Sequence, residues 1–213
     1  MATVLTKQVQ MTGPRVRFCL VVPLAYLAFG CRSTPHSPPQ AMHARDVFWT
    51  QLQALCGQAF GGQLTEGSAA DSVFRRSQVT MHVRRCTPSE IRIPLHVGED
   101  RSRTWVLTRT EQGLRLKHDH RHADGSEDAV TQYGGDTRDA GTATRQEFYA
   151  DAQTATLIPA ARTNVWTVEV MPDDKRFAYA LRREGTDRRF RVEFDLGRVV
   201  ATPPAPWGAA PNQ

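Results

Sequence analysis

From Gln78 onward, apolar residues recur at every second position in short runs, and few folds accept that period. Val79, Met81 and Val83 alternate with polar neighbours. Ile91, Ile93, Leu95 and Val97 alternate with Arg92, Pro94 and His96. Trp105-Val106-Leu107 follows, then Leu114 and Leu116 beyond the turn residues Glu111-Gln112-Gly113. The pattern returns in Trp166, Val168 and Val170, in Phe177, Tyr179 and Leu181 before Arg183-Glu184-Gly185, and in Phe190, Val192 and Phe194. Successive side chains of a strand point to opposite faces, so each run describes a strand with one buried face. Short alternating runs separated by turns predict an antiparallel meander, closed as a barrel or packed as a sandwich, of roughly eight to ten strands. Pro94 predicts an edge or a bulge, because proline cannot donate to the ladder.

One segment has a helical period instead. Val47, Phe48, Leu52 and Leu55 recur at three- and four-residue spacing between Ala44 and Ala59, which predicts an amphipathic helix. Asp46 suits its first turn, and Gly57 with Gly61-Gly62 would close it.

Upstream, Arg15–Cys31 reads RVRFCLVVPLAYLAFGC, a basic segment, an apolar run over Phe18–Phe29, and small residues before a cysteine. That order is a secretory signal, and the apolar run is shorter than the ~20 residues a membrane span needs. Met11 would begin a shorter, more typical signal than Met1. Leu27-Ala28-Phe29-Gly30-Cys31 resembles a bacterial lipobox, with Ala28 and Phe29 departing from its pattern. Ordinary cleavage beside Ala28 and Gly30 is the alternative. The segment RSTPHSPPQ after Cys31 suits a tether, which favours lipidation of Cys31. The resulting organisation is a signal over 1–30, a lipidated terminus and linker over 31–42, a β domain over 43–202 and a Pro-rich tail over 203–213. The expected location is the cell envelope, as an outer-membrane lipoprotein or in the periplasm, with the membrane as partner through Cys31.

Export also reinterprets charge and cysteine. The chain has 27 basic and 22 acidic residues. Removing Lys7, Arg15 and Arg17 with the signal leaves 24 against 22, so the mature protein is nearly neutral and nucleic acid is not an expected partner. Arg75-Arg76, Arg84-Arg85, Arg182-Arg183 and Arg188-Arg189 read as solvated strand faces and turns; contact with an anionic surface is the sharper alternative. Cys19 falls in the signal and Cys31 at its end. Cys56 and Cys86 remain, and in an oxidising compartment they are expected to form a disulfide between the end of the helix and a strand.

The run His118-Asp119-His120-Arg121-His122-Ala123-Asp124-Gly125 is the one constellation with candidate chemistry. A continuing strand puts Leu114, Leu116, His118, His120 and His122 on one face at about 7 Å intervals. A bend could then bring His118, His120, His122 and Asp124 to zinc or another divalent transition metal, with Glu127, Asp128 and Asp136 as further carboxylates. The metallo-β-lactamase spacing fails at His122 and Ala123. The first cupin motif is matched only in its second half, by His120, His122, Glu127 and Gly134; Gly113 is one residue too distant and no histidine follows His122. The bland reading is a polar strand end at a barrel mouth, with Asp124-Gly125 as a turn. His82 and His96 are expected to be solvated, and Gly134-Gly135-Asp136-Thr137 to be a tight turn. No nucleophile elbow, phosphate loop or dinucleotide fingerprint occurs, and no catalytic residue is assigned.

A helix followed by a long meander is similar in architecture to the calycin-like barrels that include lipocalins, without their Gly-x-Trp signature. More closely, SRTWVL (Ser102–Leu107), LRLKHDHRHADGSEDAV (Leu114–Val130), YGGDT (Tyr133–Thr137) and PPAPWG (Pro203–Gly208) resemble a group of uncharacterised exported proteins of Gram-negative bacteria. That resemblance implies export. The expected role is non-catalytic binding of a small ligand, metal or envelope component. The alternatives are a metal-dependent enzyme built on His118, His120 and His122, and a purely structural envelope protein.

Overall fold

In the computed structural model the described residues are Gln10, Met11, Gly13 and 43–209. The expected signal, Cys31 and the linker lie outside them apart from those three residues, as does the end of the tail at 210–213. Residues 43–209 form one compact unit.

Eleven strands run through it: β1 (Ala59–Glu66), β2 (Val79–His82), β3 (Arg85–Cys86), β4 (Glu90–Val97), β5 (Asp100–Arg109), β6 (Leu114–His120), β7 (Tyr133–Asp136), β8 (Arg145–Ala150), β9 (Asn164–Met171), β10 (Arg176–Arg183) and β11 (Arg189–Val200). Every pairing is antiparallel. β11 returns to β1 through Ala59↔Val200 to Glu66↔Arg191, and β2 pairs with β4, so ten strands close into a barrel. The two-residue β3 sits beside β4 where the β2 ladder ends. Pro94 falls in the gap between those two pairings, which is where a missing N–H costs no ladder bond.

The meander is as expected, and three strands add to it. β1 lies where the helix was expected to end. Helix α1 (Ala44–Gln53) stops at Ala54, and the next residues turn into strand. Gly61-Gly62 is part of the ladder, because a Cβ on Gly62 would lie 2.4 Å from the Phe194 ring. β7 replaces the tight turn expected at Gly134-Gly135. A Cβ on Gly135 would lie 1.7 Å from the Tyr149 carbonyl oxygen, and one on Gly134 1.9 Å from that of Leu116. The glycines let three backbones approach one another. β8 was hidden by Gln146, a buried polar residue on the inward face whose amide donates to the carbonyls of Ala140 and Thr142.

Ten strands enclose more space than the eight whose interior side chains just fill. Large residues occupy it: Phe60, Trp105, Phe148, Trp166, Phe177 and Phe194 are all buried. Trp105 stacks on Tyr179 at 4.3 Å between ring centroids and meets Phe177 and Phe194. The connections β2–β4, β5–β6, β7–β8 and β9–β10 lie at one end, which α1 closes with Phe48, Trp49 and Leu52. Asp46 pairs with Arg109 at the end of β5 at 2.6 Å, Arg109 lies over the Trp49 ring, and Arg45 donates to the Asp139 carbonyl. The other five connections form the opposite rim.

The C-terminal segment is extended, as expected, but it is packed and not free. Trp207 N–H donates to the Arg101 carbonyl, Arg101 donates to the Ala205 carbonyl, and Pro206 is buried. Residues 200–204 share a crevice with Thr80 and His96. His82 and His96 depart from expectation: both are buried, at 5% exposure each, His96 in this crevice and His82 against the Gly57 backbone. Burial pushes both imidazoles below their usual pKa, with Arg84 adding to the effect on His82 and Arg101 to that on His96.

Cys56 and Cys86 form the expected disulfide, joining the segment after α1 to β3 across a separation of 30 residues. It constrains the unfolded chain by about 3–4 kcal/mol on a loop-closure estimate. Replacing both cysteines by serine should lower the urea midpoint by a corresponding amount. An unchanged midpoint would show that the bond contributes nothing to stability.

Candidate functional site

The open end of the barrel leads into a cavity of about 300 Å³. Strand alternation builds its floor. Ile93, Trp105, His118 and Tyr133 stand opposite one another across β4, β5, β6 and β7. Trp166 on β9, Tyr179 and Leu181 on β10 and Phe190 on β11 complete the wall. Two short helical segments overhang it. One is a 3-10 turn (Ala69–Asp71) continuing into α2 (Ser72–Arg76); the other is α3 (Ala152–Leu157) with a second 3-10 turn at Pro159–Ala161. Phe74 of α2 packs edge-on against Phe190 at 5.0 Å. Asp71 is fixed by Arg188 at 2.7 Å and by the Ser68 N–H at 2.8 Å. Burial works to raise its pKa, but Arg188 and Ser68 outweigh it and hold the carboxyl below its usual value.

A hydrogen-bonded chain spans the floor. The Tyr133 carbonyl can only accept, so His118 donates to it from Nδ1 at 3.1 Å. The neutral ring then has an acceptor at Nε2, and Tyr179 donates its hydroxyl there at 2.6 Å, across the barrel from β10 to β6. The His118 ring stacks on Tyr133 at 4.5 Å, and the Tyr133 hydroxyl meets His120 Nε2 at 3.1 Å. Burial drives His118 down to about 3, and its proximity to His120 and Lys117 adds to the shift. Burial likewise raises Tyr133 to about 12 and holds Tyr179 well above its ordinary value. His120 is lowered, first by burial and then by Arg103. These groups are neutral at pH 7: they present dipoles and ring faces, not charge.

Charge sits at the rim. Arg103 pairs with Asp100 and Arg188 with Asp71. Arg183 differs: Nε donates to Asn164 Oδ1 at 2.9 Å, and among the described residues no carboxylate pairs with it. Strand alternation splits the Arg182-Arg183 pair. Arg182 bonds Glu147 and Glu184 on the outer face while Arg183 lines the cavity. Arg188-Arg189 also divides: Arg188 pairs with Asp71, while Arg189 donates to the Thr186 and Arg188 carbonyls and has no carboxylate partner among the described residues.

The histidine run is distributed along this geometry. Leu114, Leu116 and His118 share the inward face, and His120 reaches the rim. His122 and Asp124 are exposed in the loop beyond, where Asp124 accepts from the Ser126 N–H and hydroxyl. Gly125 makes the expected turn with φ +89°. Both His118 nitrogens already have protein partners, and no group of three or more metal-ligating side chains is gathered among the described residues. The four predicted ligands are thus not brought together. Sequence reasoning missed Trp105, Tyr133, Trp166, Tyr179, Phe190 and Arg183 as cavity residues. The available signal was Tyr179, a hydroxyl on an otherwise apolar inward face between Phe177 and Leu181.

The buried neutral His118 has a pH consequence. Its folded pKa lies below the unfolded value of about 6.5, so the unfolded chain takes up the proton first. The stability it contributes is complete above pH 6.5 and is lost as pH falls towards about 3. The loss should reach about 2–3 kcal/mol by roughly pH 4.5, with His82, His96 and His120 acting in the same direction. Urea midpoints at neutral and acidic pH measure it. His118→Gln should be less stable at neutral pH and show a shallower acid dependence. A wild-type midpoint that stays flat would mean that the imidazole is not held neutral.

Comparison with protein-family models, with curated proteins and with solved structures finds no match to this chain.

Proposed function

We propose that the chain is an exported, lipid-anchored envelope protein whose barrel binds a small ligand without catalysis. The cavity at the barrel mouth carries this reading. Its aromatic walls suit an aliphatic or aromatic body, and Arg183 suits an anionic head group. An apolar site with a few convergent polar groups is the usual form of a small-molecule pocket, and about 300 Å³ is at the small end of that range. Burial moves His118 and the two tyrosines away from neutrality, so they supply hydrogen bonds rather than proton transfer, which favours binding over general acid–base catalysis.

The fluorescent anion 8-anilinonaphthalene-1-sulfonate is a suitable probe. It should bind one to one with blue-shifted emission and be displaced by small aromatic carboxylates. Arg183→Gln should weaken the carboxylates about tenfold, or about 1.4 kcal/mol, and leave their neutral amides unchanged. Equal losses for acids and amides would remove the anionic head group from the reading. An absence of saturable binding would remove the ligand site.

No gathered ligand set supports a metal at His118, His120, His122 and Asp124. Stoichiometric metal in untagged protein that is lost in His120→Ala would overturn that assessment. The Cys56–Cys86 disulfide supports export, since such bonds persist in oxidising compartments. Mass spectrometry of the mature protein should find a diacylglyceryl group on an N-terminal Cys31. An unmodified N-terminus would leave simple secretion.

A further inference from the structure

A second pocket lies on the outside of the barrel, away from the mouth cavity. Arg92 and Pro94 of β4, Thr104 of β5 and Asp119 of β6 form its base. Arg84, Arg85 and Arg121 stand around it, and Pro206, Trp207, Gly208 and Ala209 of the returning C-terminal segment make the last wall. That wall is fastened: Trp207 N–H donates to the Arg101 carbonyl at 3.1 Å, and Gly208 lies against the Gly125 backbone.

Four guanidinium groups thus face one lining carboxylate. Asp119 is already engaged by Arg121 at 3.0 Å and by Arg92 at 3.5 Å. Glu90 and Glu127, which also pair with Arg92 and Arg121, stand outside the lining. Arg85 has no carboxylate partner among the described residues, and it lies directly opposite Arg92 in the β3–β4 ladder. Like charges placed opposite each other on neighbouring strands are unfavourable. An anion between them would convert that repulsion into two favourable contacts.

We propose that this pocket binds the phosphate group of a phosphate monoester or of inorganic phosphate. Guanidinium forks match phosphate oxygens in geometry, and charge-assisted bonds of this kind are the strong ones. A phosphate near neutrality carries a charge of about −1.5 to −2, which answers more than one arginine; a carboxylate carries a single charge. The pocket volume of about 160 Å³ equals roughly five waters at about 30 Å³ each, enough for a phosphate and its ester oxygen. Trp207 supplies a wall for whatever the phosphate is attached to.

Calorimetry of the mature protein with inorganic phosphate at physiological ionic strength tests the site. Saturable one-to-one binding is expected, absent for matched chloride, with a change in Trp207 fluorescence. Arg85→Gln should weaken it at least tenfold while leaving anilinonaphthalene-sulfonate binding at the mouth and the circular dichroism spectrum unchanged. Non-saturable heats, an equal response to chloride, or binding unaffected in Arg85→Gln would overturn the proposal. Vesicles of phosphatidic acid in phosphatidylcholine, scored as the excess over phosphatidylcholine alone so that binding through a Cys31 lipid cancels, separate the sources. Co-sedimentation that free phosphate competes away identifies a lipid head group. Phosphate binding without co-sedimentation identifies a soluble phosphate. Co-sedimentation that persists in Arg85→Gln, with no phosphate binding, shows diffuse surface charge and also overturns the site.

Discussion

The ladder between β1 and β11 is the interaction on which the rest depends. Without it the meander would be an open sheet with two unpaired edges and a face of aromatic residues exposed to water. With it, every inward residue on ten strands faces the same interior. The ladder is irregular, with bulges between Phe60 and Gly62 and between Leu64 and Glu66. Such bulges bend and twist a strand, which helps a sheet of this width to close. Gly62 beneath the Phe194 ring shows how tightly the two strands are fitted.

Closure fixes the interior volume, and the residues then divide that volume into a filled half and an open half. Helix α1 and the cluster around Phe177 and Phe194 fill the first. In the second, the hydrogen bond from Tyr179 to His118 crosses the barrel above the Trp105 ring, so the floor of the cavity is a tied aromatic layer. On the outer wall, Glu169 sits between Arg145 and Arg191, and Glu147 between Arg145 and Arg182. Individual exposed pairs of this kind contribute little. Strand alternation sends Arg182 to this outer wall and leaves Arg183 facing the cavity.

Most of the fold was legible where alternation was strong. The runs at Ile91–Val97, Trp166–Val170 and Phe177–Leu181 mark β4, β9 and β10 with nothing but apolar periodicity. β1, β7 and β8 escaped because glycine, tyrosine or glutamine interrupts their inward faces beside Phe60 and Phe148, for close backbone approach or a buried hydrogen bond, and hydrophobic period does not register either. The site was legible only in part. His118 and His120 do reach the cavity, by the alternation that singled them out. Their roles depend on Tyr133 and Tyr179, which lie 15 and 61 residues from His118 in sequence. No spacing rule links residues brought together by barrel closure. His96 was misplaced for a similar reason: the segment that shares its crevice lies beyond β11.

In an up-and-down barrel the chain visits the two ends alternately. Here the segments at the mouth, 67–78, 98–99, 121–132, 151–163 and 184–188, are separated from one another by segments that build the plugged end. Recognition and foundation are thus written in interleaved stretches of one chain. Any single mouth segment can be lengthened or exchanged while its two flanking strands remain anchored by neighbours that do not change. Such a scaffold can acquire a different binding preference one loop at a time, with its base kept as a constant.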